Sequence, residues 1–187
     1  MAVGAFPGSF DPPTRAHLAI AEAAWRQGGL ERLDLVVSRR PLEKAGRLPL
    51  LEHRLEVLER LAASRPWLGV AVSEAQLVAD LVEGYDLVVM GADKWAQVND
   101  PAWYPKGAPE RDAALARLPR ALVVPRPPHR PGRAQVLELA GLEGVSSTRA
   151  RQGRRELMAP EAAAFDAATG AWTDPGRYLA WLEGRPA

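Results

Sequence analysis

The chain has no cysteine, which excludes a disulfide scaffold, a thiolate metal site and a cysteine nucleophile. Histidine is nearly as scarce. His17, His53 and His129 are the whole supply, too few for a multi-histidine metal centre. No uninterrupted apolar run approaches the roughly 18 residues that a membrane helix needs. The start, MAVGAFPGSF, lacks the basic residues and long apolar run of a secretory signal. Neither a G-x-x-x-x-G-K-[ST] loop nor a G-x-G-x-x-G fingerprint occurs, so P-loop and dehydrogenase readings lack their residues. The lack of cysteine fits a reducing cytoplasm, and the lack of a long apolar run fits no membrane partner.

What is present is ordinary in amount and uneven in placement. At 187 residues, 47% apolar and 25% charged, the chain can bury a sizeable core and suits one domain over 1–187. Net charge is +1. Between residues 117 and 155, however, nine arginines face only Glu138 and Glu143. That local excess suits phosphate groups, or simply a solvated basic surface. Lys44, Lys94 and Lys106 are the only lysines among 24 basic residues, so the basic side chains are mostly planar, permanently charged donor forks.

Short apolar runs alternate with helical stretches. The pattern predicts strands at 2–6, 33–37, 68–72, 86–90, 121–124 and 134–139. Helices are expected from Thr14 or Asp11 to Arg26, and over 50–63, 74–82 and 110–118. The Pro- and aromatic-rich stretch 99–109 reads as a loop. Residues 145–187 read as mostly helical, with Pro160 and Pro175 as helix starts. This is the pattern of an α/β, doubly wound parallel sheet with helices on both faces and a helical C-terminal segment. Such sheets bind ligands beyond the carboxyl ends of their strands.

Three constellations fall where that fold places its loops. In residues 4–24, GAFPGSFDPPTRAHLAIAEAA, a glycine-bearing turn leaves the first strand and His17 enters the first turn of the next helix. Free amides and the helix dipole favour an anion there. Gly8 allows close backbone approach, and an imidazole can donate to a phosphate whose charge changes during reaction. A capping turn with an incidental histidine would look the same. In Val145-Ser146-Ser147-Thr148-Arg149-Ala150-Arg151, hydroxyls and free amides at a helix start sit beside an arginine one turn on. That is a phosphate clamp or a plain capped helix. In Met90-Gly91-Ala92-Asp93-Lys94-Trp95, Asp93 stands just past a strand end, as a ribose acceptor or a helix cap. Lys44 occupies the loop after the second strand. Trp95, Trp103 and Tyr104 offer rings that could stack on a flat ligand, or pack in the core. His53 and His129 read as structural or solvated.

Gly8-Ser9-Phe10-Asp11-Pro12-x-Thr14-x-x-His17 resembles the signature of the nucleotidylyltransferase superfamily, the H/T-x-G-H enzymes, with Ala16 in place of the usual glycine. The run through Ser147 resembles the superfamily's I-S-S-T-x-I-R motif, with Ala150 in place of isoleucine. Gly91-Ala92-Asp93 and residues 157–162 are similar to the nicotinate and nicotinamide mononucleotide adenylyltransferases. The resemblance implies a Rossmann-like fold and ATP held by Gly8, Ser9, Phe10, His17, Asp93, Ser147, Thr148 and Arg151. It puts His17, Thr14, Lys44 and Arg151 at the chemistry, and Mg²⁺ on the phosphates with no protein carboxylate motif to fix it. The implied reaction transfers AMP from ATP to the phosphate of nicotinate or nicotinamide mononucleotide and releases pyrophosphate, a step of NAD biosynthesis. Trp95, Trp103 and Tyr104 would then wall the acceptor's ring. Two other readings stay open. One is a phosphopantetheine adenylyltransferase of coenzyme A biosynthesis, toward which Thr14 and residues 77–82 lean. The other is a nucleotide-binding regulatory protein without turnover, which Ala16 favours. The partners the resemblance implies are small molecules, ATP and a phosphorylated acceptor, with no nucleic acid and no membrane, and a homo-oligomer is compatible with it.

Overall fold

Each central strand carries two apolar faces, and that parity decides the layers. The computed structural model describes residues 1–39, 49–132, 134–137, 139, 141, 142 and 144–184. Its strands are β1 (Val3–Pro7), β2 (Arg32–Ser38), β3 (Leu68–Ser73), β4 (Leu87–Gly91), β5 (Arg120–Val124) and β6 (Gln135–Val136). They form one sheet in the order β3-β2-β1-β4-β5-β6, with every pairing parallel. Phe6, Leu33, Leu35, Val37, Leu87, Val89 and Leu122 point into one core, whereas Ala5, Val36, Val88, Met90 and Val123 point into the other. A strand buried on both faces needs helices on both sides.

The first core is closed by α1 (Arg15–Gly28), α2 (Leu51–Ala63), α7 (Pro160–Thr169) and α8 (Pro175–Glu183). Leu58 and Leu61 of α2 are fully buried, as are Ala21 and Ala24 of α1 and Tyr178 of α8. The small alanines let α1 lie close to the sheet. The second core is closed by α3 (Val78–Leu81), α4 (Ala92–Asn99) and α5 (Ala108–Arg117) through Val78, Leu81, Val98 and Leu115. The short α6 (Ser147–Arg151) lies between the sheet and the C-terminal helices. No helix of the described residues is long and apolar enough to cross a membrane. Strand order reverses at β1 and β4, so the crevice expected of a doubly wound sheet opens at their carboxyl ends.

Three expected elements differ. The helix at 74–82 shrinks to the four residues of α3. The Ser73 hydroxyl accepts from the Ala75 amide at 3.1 Å, and the Ser38 hydroxyl donates to the Ala75 carbonyl at 2.5 Å, so the loop consumes groups a helix would use. The strand at 134–139 is reduced to Gln135–Val136. The stretch 99–109 is more ordered than a loop. The Asp100 carboxylate accepts from Ala102 at 2.9 Å and caps a 3-10 turn at Pro101–Trp103, and Pro109 sits in the first turn of α5.

The C-terminal helices hang on one buried carboxylate. Asp166 accepts from the amides of Trp172 and Thr173 at 2.8 and 3.0 Å, from the Thr173 hydroxyl at 2.7 Å and from Arg155 Nε at 2.7 Å. Burial alone would raise its pKa, but these donors together hold it below the ordinary carboxylate value. Replacing Asp166 by alanine strands those donors, two of them backbone amides, at a cost of about 2–3 kcal/mol. Urea unfolding of Asp166→Ala should show that loss as a lower midpoint with an unchanged slope.

Candidate active site

The loop leaving β1 is shaped by one ring. Phe10 has φ 44°, a left-handed backbone that costs a bulky residue about 1–2 kcal/mol. It is almost fully buried, edge-on to Phe6 at 5.5 Å and to His17 at 5.2 Å, and this packing holds the conformation. A Cβ on Gly8 would lie 2.9 Å from the Phe10 ring. Glycine at position 8 therefore makes room for Phe10 rather than for a ligand. The Gly8 amide donates to the Val36 carbonyl at 3.0 Å, so it too is spent on the fold.

Thr14 caps α1 and, with His17, forms a reciprocal capping box. The Thr14 hydroxyl accepts from the His17 amide at 3.3 Å, and the His17 Nδ1 accepts from the Thr14 amide at 2.9 Å. An Nδ1 that accepts carries no proton, so the neutral imidazole carries it on Nε2. His17 lines the cleft above the sheet. Burial, and next the Arg126 guanidinium, lower its pKa to about 4. At neutral pH it is an uncharged N–H donor.

The second motif is fastened to the first. The Ser147 hydroxyl donates to the Pro12 carbonyl at 2.8 Å, the Arg151 guanidinium donates to the Asp11 carbonyl, and the Ala159 amide donates to the Pro13 carbonyl at 3.0 Å. The Asp11 carboxylate is buried, accepts from the Trp172 indole at 2.9 Å and lies 3.7 Å from Arg151. Ser146 caps α6 by accepting from the Arg149 amide at 3.2 Å. The result is one cleft of about 1020 Å³ that Gly8, Ser9, Phe10, Thr14, His17, Asp93, Ser147 and Thr148 all line.

Several expected residues are placed elsewhere. Arg151 is not on the cleft wall. It is drawn under the loop by Asp11, with Nη2 at 3.4 Å from the Thr148 hydroxyl. None of the three aromatic residues expected beside the acceptor lines the cleft. Trp95 packs on the second core, Tyr104 is buried and donates to the Val98 carbonyl at 2.8 Å, and Trp103 stands exposed on its 3-10 turn. The apolar demand of the short helices beneath the α4–α5 connection takes Trp95 and Tyr104, and the Asp100-capped turn holds Trp103 off the cleft. Lys44 lies outside the described residues. His53 is structural: it is buried, with Nδ1 2.5 Å from the Tyr178 hydroxyl. His129 is exposed.

Sequence reasoning missed Arg54 and Arg126, which both line the cleft. Arg54 reaches from α2 to donate to the Ser9 carbonyl at 3.1 Å. Arg126, just past β5, pairs with Asp93 at 3.2 Å. The only signal for Arg126 was its place in the arginine-rich stretch, directly after a strand. On the opposite side the cleft is lined by Gln76, Val78, Leu81, Met90, Lys94 and Gln97, a mixed aliphatic and amide wall. Among the described residues no cluster of three or more His, Asp or Glu could hold a metal ion.

A family model for cytidylyltransferase-like proteins matches residues 5–153. A probable nicotinate-nucleotide adenylyltransferase of Agrobacterium fabrum is 41% identical over 78 residues, 41% of this chain and 41% of that relative. A phosphopantetheine adenylyltransferase of Streptococcus suis is 40% identical over 83 residues, 44% of this chain and 49% of that relative. Each alignment thus spans less than half of the curated relative. Among solved structures, a nicotinic acid mononucleotide adenylyltransferase of Plasmodium falciparum complexed with APC superposes with a TM-score of 0.67 at 14% identity, over 89% of this chain and 94% of that one. That likeness bears out the Rossmann-like α/β fold.

The His17 geometry makes a direct prediction. Nitrogen NMR at pH 7 should find the Nε2–H tautomer, and the ring should not titrate until the pH falls near 4. Between about 6.5 and 4 the unfolded chain binds this proton and the folded chain does not, so His17 makes stability fall as pH drops through that window. A ring that titrates at its ordinary value would contradict its burial beside the charge of Arg126.

Proposed function

The chain belongs to the cytidylyltransferase-like family, and on that premise we propose that it is an adenylyltransferase acting on ATP and a phosphorylated acceptor. The observation that carries this reading is the meeting of two phosphate motifs, about 130 residues apart in sequence, on the wall of one cleft. A phosphate oxygen of the acceptor attacks the α-phosphorus of ATP, and the bond to the β-phosphate breaks to release pyrophosphate. No covalent intermediate on the protein is needed, because positioning and charge neutralisation suffice. His17 donates its Nε2–H to the α-phosphate. Ser147 and Thr148, at the start of α6, face the departing β- and γ-phosphates. Arg151 braces the loop through Asp11 and meets the phosphates only by turning away from it. Asp93 suits the ribose hydroxyls.

Among the described residues the two carboxylates at the cleft, Asp11 and Asp93, are already paired with Trp172 and Arg151 or with Arg126. That donor set fits Mg²⁺ carried mainly by the nucleotide's own phosphates, where it would neutralise charge on them.

For the acceptor we favour nicotinate or nicotinamide mononucleotide, a step of NAD biosynthesis. The Agrobacterium relative and Gly91-Ala92-Asp93 support that choice. Phosphopantetheine is the second reading, supported by the Streptococcus relative and by the aliphatic wall of Val78, Leu81 and Met90, which offers no ring to stack.

Pyrophosphate release from ATP and Mg²⁺ with each acceptor in turn separates these readings. Turnover with a mononucleotide is expected, and His17→Ala should slow it by about 100- to 1000-fold, the usual effect of losing one transition-state donor. Turnover with phosphopantetheine alone would move the acceptor assignment. ATP binding without turnover on any acceptor would leave a regulatory nucleotide-binding protein.

A further inference from the structure

Attack on the α-phosphorus builds negative charge there, and a neutral imidazole supplies a hydrogen bond without a charge. A side-chain cation beside His17 would share that charge with the Mg²⁺ on the phosphates. Among the described residues three cationic side chains other than histidine line the cleft: Arg54, Lys94 and Arg126. Arg54 is held below the loop by the Ser9 carbonyl. Lys94 donates to Gln97 Oε1 at 2.5 Å, on the opposite wall. Arg126 differs from both.

Its backbone is pinned by a tight turn, in which the Arg126 amide donates to the His129 carbonyl at 3.3 Å and the His129 amide returns a bond at 2.8 Å. Its side chain lies over the end of β4, with Cδ 4.0 Å from where a Gly91 Cβ would stand. Its single ion pair, with Asp93, is half open to solvent, with side-chain exposures of 53% and 46%. An exposed pair of this kind contributes little and is readily exchanged. A phosphate that accepts two parallel bonds from a guanidinium binds it more strongly. The Arg126 guanidinium, second to burial, also opposes protonation of His17.

We propose that Arg126 is a further catalytic residue, whose guanidinium exchanges Asp93 for the non-bridging oxygens of the α-phosphate, facing His17 across the reacting phosphorus. As the acceptor oxygen forms its new bond to phosphorus, the bridging oxygen leaves with the electron pair as part of pyrophosphate, and Arg126 neutralises the charge between. Asp93, released, accepts from the sugar hydroxyls. This role rests on the adenylyltransferase reading.

The test compares wild type, Arg126→Gln and Arg126→Lys in pyrophosphate release with ATP, Mg²⁺ and whichever acceptor wild type uses. For Arg126→Gln, kcat should fall by about 100-fold or more, the ATP KM should change far less, and the melting temperature should stay close to wild type. Arg126→Lys should recover part of the rate, since it restores charge without the fork. In the ligand-free protein, the His17 titration should move upward in Arg126→Gln. If kcat stays within about threefold of wild type, or the loss lies wholly in KM, Arg126 has no transition-state role and the transferase reading stands. A His17 titration that does not move places Arg126 away from the reacting phosphate and overturns the proposal as well. A wild type that releases no pyrophosphate with any acceptor overturns both readings together.

Discussion

The three residues Asp11 to Pro13 tie the two ends of the chain together. Pro12 and Pro13 have no N–H to offer, so at these two positions the backbone only accepts, and the Asp11 carbonyl and carboxylate accept beside them. The donors come from far along the chain: Ser147, Arg151, Ala159 and Trp172. Each of those residues is in turn anchored in the first core or capped on α6. The sheet alone would leave the β1 loop and α6 as two separate surfaces. These bonds make them one wall, and a triphosphate needs both. The C-terminal helices matter to the site for the same reason, since Trp172 is positioned by Asp166 and meets Asp11.

The electrostatics of the cleft follow from what is buried and what is not. His17 is kept neutral by burial and next by the Arg126 guanidinium, and the capping box leaves its proton on Nε2, so it can donate without gaining charge. Asp11 is buried and fully occupied, and it steadies the backbone rather than the ligand. The charges free to exchange partners, Asp93 and Arg126, are the half-exposed ones. Rigid neutral donors below and exchangeable charges above suit a reaction in which charge moves along a phosphate chain.

Much of the fold was legible in the sequence because double-sided burial leaves continuous apolar runs such as Leu87–Met90 and Leu35–Val37, which no helix period explains. His17 was legible for the same kind of local reason: a strand end, a glycine turn and a helix start define its place. Other features depend on contacts that no spacing reveals. Gly8 looked like room for a ligand because the left-handed Phe10 that fills it has no local signature. Trp95 and Tyr104 looked available because no spacing shows the packing that takes them, Trp95 on the second core and Tyr104 against Ala79 and Ala114, while Trp103 stands exposed away from the cleft. Arg151 looked like a phosphate ligand because its local spacing is right, and only the Asp11 contact across 140 residues shows where it rests. Arg54 and Arg126 carry no motif, and the fold alone brings them to the cleft.

The central claim is that the loop after β1 and the start of α6 act as one phosphate site through Asp11. Amide hydrogen exchange with and without ATP and Mg²⁺ tests it directly. Segments 8–11 and 146–149 should gain protection together and at the same nucleotide concentration. Asp11→Ala should abolish that shared protection while the amides of β1, β2 and β4 exchange as slowly as before. Protection of one segment without the other, or shared protection that survives the loss of Asp11, would contradict the account.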